Sequence, residues 1–166
     1  MMGLSQIMTR VVAAMIFGSI MGLERELAGK EAGLKTEMLV AGGSALFTLI
    51  SLNLPYVIST DPEIVSRIIT GGGFAGIIAN IVAGIGFLGT GIIIKTTGHV
   101  HGLTTAALVW TTGAIGIMAG LGMFEVALTS TILLSGMRYL LRHVDFTEDA
   151  HIQFVGKNHK PGRRSK

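Results

Sequence analysis

Glu24-Arg25-Glu26 ends the first apolar stretch of this 166-residue chain, and Lys35-Thr36 opens the second. Charges at the edge of a membrane are costly and commonly functional. Such a cluster could neutralise itself, bind a cation, or anchor a helix at an interface. Glu24 and Glu26 are two apart and point to different faces of a helix. They cannot share one ion unless the helix has ended there. One carboxylate is then expected to pair with Arg25 or Lys35 while the other faces a cavity. The plainer alternative is a solvated cluster in which Arg25 anchors the span.

Four further groups could contribute. Asp61-Pro62 has the form of a helix start, with Asp as N-cap and Pro at the first helical position. Asn80 sits in an apolar run, where an amide needs either an interhelical hydrogen bond or a place along a polar path. Thr104-Thr105 and Thr111-Thr112 flank Trp110, and their hydroxyls can bond carbonyls one turn back. His99 and His101 form a weak metal signal without a nearby carboxylate. Glu24 and Asp61 are the metal candidates, with the ion unknown and no resident cofactor expected. No G-x-S-x-G, H-E-x-x-H or Walker A pattern occurs, so no enzymatic activity is expected.

Gly84-Ile85-Gly86-Phe87-Leu88-Gly89 fits G-x-G-x-x-G. A dinucleotide site would need a preceding strand and a later acidic residue, but no acidic residue occurs between Glu63 and Glu125. Gly84, Gly86, Gly89 and Gly91 instead suit close helix packing, as do the small-residue pairs Gly18/Gly22, Gly72/Gly76, Ala79/Ala83 and Gly116/Gly120. The alternative is a helix broken between Gly86 and Gly91, exposing carbonyls to an ion.

These residues are held by apolar stretches of membrane-spanning length. The chain is 49% hydrophobic and 14% charged, against roughly 25% charged in a soluble domain. It contains 24 glycines and no cysteine, which excludes disulfides and thiolate sites. About 20 apolar residues cross a bilayer as a helix. The expected fold is all-α and polytopic, with five spans: Leu4–Leu23, Met38–Leu54, Phe74–Ile94, Leu103–Leu121 and Met123–Leu141. A charged loop covers Glu24–Thr36. A short helix, Pro62–Ile69, and a glycine break precede the glycine-rich third span. Lys95–Gly102 is expected as a polar loop. The first stretch lacks a basic leader and reads as a retained span.

Residues 1–142 therefore form a transmembrane domain, and 143–166 a basic tail expected to be disordered. Counting Lys and Arg, eleven fall on one side and two, Arg10 and Arg67, on the other or within the first span. The positive-inside rule places the N-terminus outside, the tail inside and Asp61 outside. Basic residues clustered at span ends and in the tail point to a lipid bilayer, with no nucleic acid as partner. Small-residue faces suggest a homodimer.

The ordered motifs resemble the MgtC/SapB family of inner-membrane proteins. They are Gly22-Leu23-Glu24-Arg25-Glu26, Ala32-Gly33-Leu34-Lys35-Thr36, Asp61-Pro62, Asn80 through Gly91, and Gly102-Leu103-Thr104-Thr105-Ala106-Ala107-Leu108-Val109-Trp110. The resemblance covers roughly residues 5 to 142 and implies magnesium homeostasis or adaptation to low magnesium, and in pathogens survival inside host cells. It implies action through another membrane protein, an ATP synthase or a P-type Mg2+ transporter, and points to Mg2+ as the ligand or substrate. The alternative is a small divalent-cation transporter or channel, with Glu24, Asp61, Asn80 and the Gly86–Gly91 carbonyls as its path. The chain departs from the family pattern at Lys35, where Arg is usual, and at His101, where Arg or Lys is usual. It also has an extra stretch near Arg67–Gly76, and the soluble C-terminal domain of many members is expected to be missing.

Overall fold

The computed structural model describes residues 2–96 and 99–143, with side chains described through Leu141. The tail from 144 onward lies outside the described residues. Helix α1 spans Leu4–Leu27, α2 Leu34–Ile58, α3 Pro62–Thr70 and α4 Gly73–Ile92. A two-stranded antiparallel ribbon, β1 Ile94–Thr96 and β2 His99–His101, leads into α5, Leu103–Leu121, and α6, Phe124–His143.

The protein is an all-α polytopic membrane protein with this one small ribbon. Among the described residues, α1, α2, α4 and α5 are long and apolar enough to cross a membrane. Helix α6 has the length, but Glu125, Arg138 and Arg142 leave it less apolar than those four. Two expectations are corrected. The loop read as Glu24–Thr36 shrinks to Ala28–Gly33, because α1 continues through Glu24-Arg25-Glu26 and α2 already contains Lys35-Thr36. The polar loop after the third span is the ribbon, with Lys95 opposite Val100.

Helix α5 is the central element. Its long apolar face packs on α1, α2, α4 and α6, and its buried residues run from Thr105 to Gly120. Helix α4 lies on α2 and α5, α6 lies on α1 and α5, and α3 touches α2 and α4. One core joins Ala14, Met21, Ala41, Ala45, Leu108, Ile115 and Ala119. Another joins Ile81 and Ile85 of α4 with Val109 and Ile117 of α5.

Small residues set the spacing of α1, α2 and α5. A Cβ at Gly18 would lie 2.7 Å from the Ala41 Cβ, and one at Gly22 would lie 2.6 Å from the Leu34 Cα. A Cβ at Gly116 would lie 2.8 Å from the Ala41 Cα. Both four-residue pairs, Gly18/Gly22 and Gly116/Gly120, therefore serve contact within the chain. Gly72, Gly76, Gly84, Gly86 and Gly91 instead face open space.

Candidate functional site

Chain direction sorts the residues into two ends. The α1–α2 loop, the ribbon and the start of α5 share one end, where Arg25 bonds Thr105. The α2–α3 and α5–α6 connections share the other, where Arg10 Nη1 donates to the Gly120 carbonyl at 2.8 Å. Glu24 and Asp61 therefore stand at opposite ends.

Arg25 organises the first end. It is only 6% exposed. Its Nε donates to the carbonyls of Glu31 at 3.0 Å and Ala32 at 3.2 Å, and its Nη2 to Glu31 at 2.6 Å. The same Nη2 donates to the Thr105 hydroxyl. A planar guanidinium can satisfy several acceptors in fixed directions, so one side chain ties α1, the connecting loop and α5 together. The loop needs such a tie. Ala32 sits at φ 52°, a left-handed conformation that costs a residue with a Cβ about 1–2 kcal/mol.

The flanking carboxylates each bond a different element. Glu24 Oε2 meets Arg138 Nη2 of α6 at 3.0 Å. Glu26 Oε2 accepts from the Leu34 amide at 3.0 Å. It thereby satisfies an orphan donor at the start of α2, where negative charge also suits the helix dipole. Arg25 is likewise no solvated anchor, because the α1–α2 loop folds over it.

Lys35 and Thr36 are exposed at one end of a groove of about 680 Å³ between α2 and α4. Asn80 and Gly84 line the same groove, with Val40, Phe47, Ile81 and Leu88 among its apolar walls. Asn80 is exposed and makes no interhelical hydrogen bond among the described residues. Asp61 caps α3, its Oδ1 accepting from the Glu63 amide at 2.9 Å. Thr104 is exposed and Thr105 buried.

Helix α4 runs unbroken through Gly84, Gly86, Gly89 and Gly91, so the broken-helix reading is not met. The Gly86 carbonyl also accepts from Thr90 Oγ1 at 3.0 Å. Of these four glycines, Gly89 packs against α5, where an added Cβ would meet Ala106 at 3.5 Å. His99 and His101 stack with centroids 6.3 Å apart. No group of three His, Asp or Glu side chains able to hold a metal occurs among the described residues.

The sequence reading passed over Glu37. It lies in the first turn of α2, is 0% exposed, and has no hydrogen-bond partner at either carboxylate oxygen. Its helical spacing to Ala41, Ser44, Thr48 and Ser51, all buried, was the signal that could have found it.

The MgtC family model matches residues 11–146, a stretch holding the Arg25 tie, the groove and the ribbon. The chain belongs to the MgtC family. Among curated relatives, it is similar to protein MgtC of Salmonella typhimurium (strain LT2), with 41% identity over 132 residues, 80% of this chain and 51% of that protein. YhiD of Escherichia coli (strain K12), whose name proposes a magnesium transporter, is 37% identical over 136 residues, 78% of this chain and 57% of YhiD. An uncharacterised Haemophilus influenzae protein is 34% identical over 141 residues, 80% of this chain and 54% of that protein. The chain thus spans about half the length of these MgtC family relatives. No solved structure matches it.

Proposed function

We propose that this chain is a magnesium-homeostasis factor of the cytoplasmic membrane, acting non-enzymatically through another membrane protein. Family membership and the YhiD name support the link to magnesium. The observation that carries the mode of action is the Arg25 tie. Three charges at that end are engaged with the chain itself: Arg25 with the loop and Thr105, Glu24 with Arg138, and Glu26 with the α2 amide. They build a stiff end whose exposed members, Lys35 and Thr36, stand beside the groove. A docking face has this form. By the positive-inside rule it is cytoplasmic, with α6 as a fifth span, the N-terminus outside and Asp61 on the far side. An ATP synthase or a P-type Mg2+ transporter is the proposed partner.

The open small residues of α4 support a homodimer through that helix.

The second reading is a small Mg2+ transporter. The buried polar residues between α2 and α5 support it: Glu37, Ser44, Thr48, Ser51, Thr105 and Thr112. The first reading has the stronger geometric support, because Asn80 and Gly84 line the outer groove while Glu24 and Asp61 occupy opposite ends.

Growth of cells dependent on this chain at limiting magnesium tests the proposal. Lys35→Glu and Thr36→Arg should accumulate in the membrane at wild-type levels yet fail to support growth. Wild-type growth of both variants would contradict a docking role for this face.

A further inference from the structure

Glu37 has no part in the docking reading, and its surroundings are specific. The carboxyl is fully buried with both oxygens unpartnered. Beside it stands the Thr112 hydroxyl of α5, also 0% exposed and also without a hydrogen bond of acceptable geometry. The cations that act on Glu37 are Arg25 from α1 and Arg138 from α6. Neither is bonded to it: Arg25 directs Nε and Nη2 to Glu31, Ala32 and Thr105, and Arg138 directs Nη1 to the Met21 carbonyl and Nη2 to Glu24. Helices α4 and α5 contain no charged residue.

A buried carboxylate needs several donors or a directly bonded cation, because desolvating an ion costs several kcal/mol. Thr112 can offer one donor. The first-turn position in α2 adds a favourable dipole, a contribution of about 0.3–1 kcal/mol. That is too little to replace the missing donors. A divalent ion would want about six oxygens, and the three side-chain oxygens of Glu37 and Thr112 cannot supply them. A proton needs one acceptor, and the Thr112 oxygen is in place to be it.

We infer that Glu37 and Thr112 form an exchangeable proton site between α2 and α5. In the loaded state the Glu37 carboxylic acid donates to Thr112 Oγ1, leaving Arg25 on the loop carbonyls. When the proton passes to solvent, the new negative charge attracts Arg25, whose Nε and Nη2 hold the loop carbonyls and Thr105, so a turn of the guanidinium toward Glu37 loosens that tie. Proton occupancy at Glu37 thus couples to the position of the α1–α2 loop. This inference does not depend on the magnesium reading.

Infrared difference spectroscopy of the full chain in lipid nanodiscs tests the site, with spectra taken at neutral and strongly alkaline pH. The wild type should show a protonated-carboxyl stretch at neutral pH that disappears in Glu37→Gln and shifts in frequency in Thr112→Val. A protonated-carboxyl region at neutral pH that is the same in wild type and Glu37→Gln would show that Glu37 is ionised and would overturn the inference. A band that Thr112→Val leaves unmoved would overturn the pairing. A band appearing only after removal of Na+ and K+ would replace the proton by a monovalent cation and also overturn it. Should Glu37→Gln not fold, the Thr112→Val shift and 13C-glutamate labelling of the wild type still decide the assignment.

Discussion

Arg25→Leu should destabilise the detergent-solubilised protein by about 3 kcal/mol, since hydrogen bonds to a charged group contribute about 1.5–3 kcal/mol each and do not add fully. Leucine would occupy the space and leave the carbonyls of Glu31 and Ala32 and the Thr105 hydroxyl without their donor. Ala32 would lose the contact that holds its left-handed backbone. Arg25→Lys should recover part of the loss, because an ammonium keeps the charge but reaches fewer of these acceptors. The order wild type, Lys, Leu in thermal unfolding midpoint is the readout, with protease cleavage between Ala28 and Gly33 rising in the same order. Equal midpoints for all three would mean that the guanidinium does not tie the two helices and the loop.

Gly116→Val should be more severe. Ala41 is held between Gly18 of α1 and Gly116 of α5, and even a single carbon at Gly116 would come within 2.8 Å of the Ala41 backbone. Overpacking a filled core costs about 1–3 kcal/mol, and here the neighbour is backbone and cannot rotate away. Gly116→Ala should lower the yield of folded protein, and Gly116→Val should abolish it. Gly18→Ala should also destabilise, and the double alanine variant should depart from additivity because both sites press on Ala41. Gly84→Ala is the control. Nothing lies within 4 Å of its added carbon, so it should fold as the wild type does.

The helices were legible because length and apolarity decide them. The positions of α1, α2, α4 and α5 follow from runs that must satisfy their backbone in lipid. The start of α3 followed from Asp61-Pro62. Helix ends were less legible. Glu24, Arg25 and Glu26 read as a loop because charge signals water, yet each finds a protein partner that only the fold creates: Arg138 from more than a hundred residues away, the α5 threonine, and the α2 amide. The ribbon at 94–101 was missed because Ile94-Lys95-Thr96 and His99-Val100-His101 are too short to show a period.

The glycines show the same divide. Four-residue spacing marked Gly18/Gly22 and Gly116/Gly120 correctly as contact surfaces. It could not separate them from Gly72/Gly76, which face open space, because spacing carries no information about which face a neighbour covers. Glu37 was lost at a boundary. With the second span begun at Met38, the carboxyl fell just outside it, although it lies on the same buried stripe as Ser44, Thr48 and Ser51.

Magnesium entry into sealed proteoliposomes, read by a trapped indicator, tests the central claim most directly. Wild-type protein, Glu24→Gln and Asp61→Asn would be reconstituted side by side, with folding checked by gel filtration before and after. A homeostasis factor acting through a partner predicts flux no greater than that of empty liposomes in all three. Wild-type flux that either substitution removes would contradict it, making the chain a transporter with that carboxylate on its path.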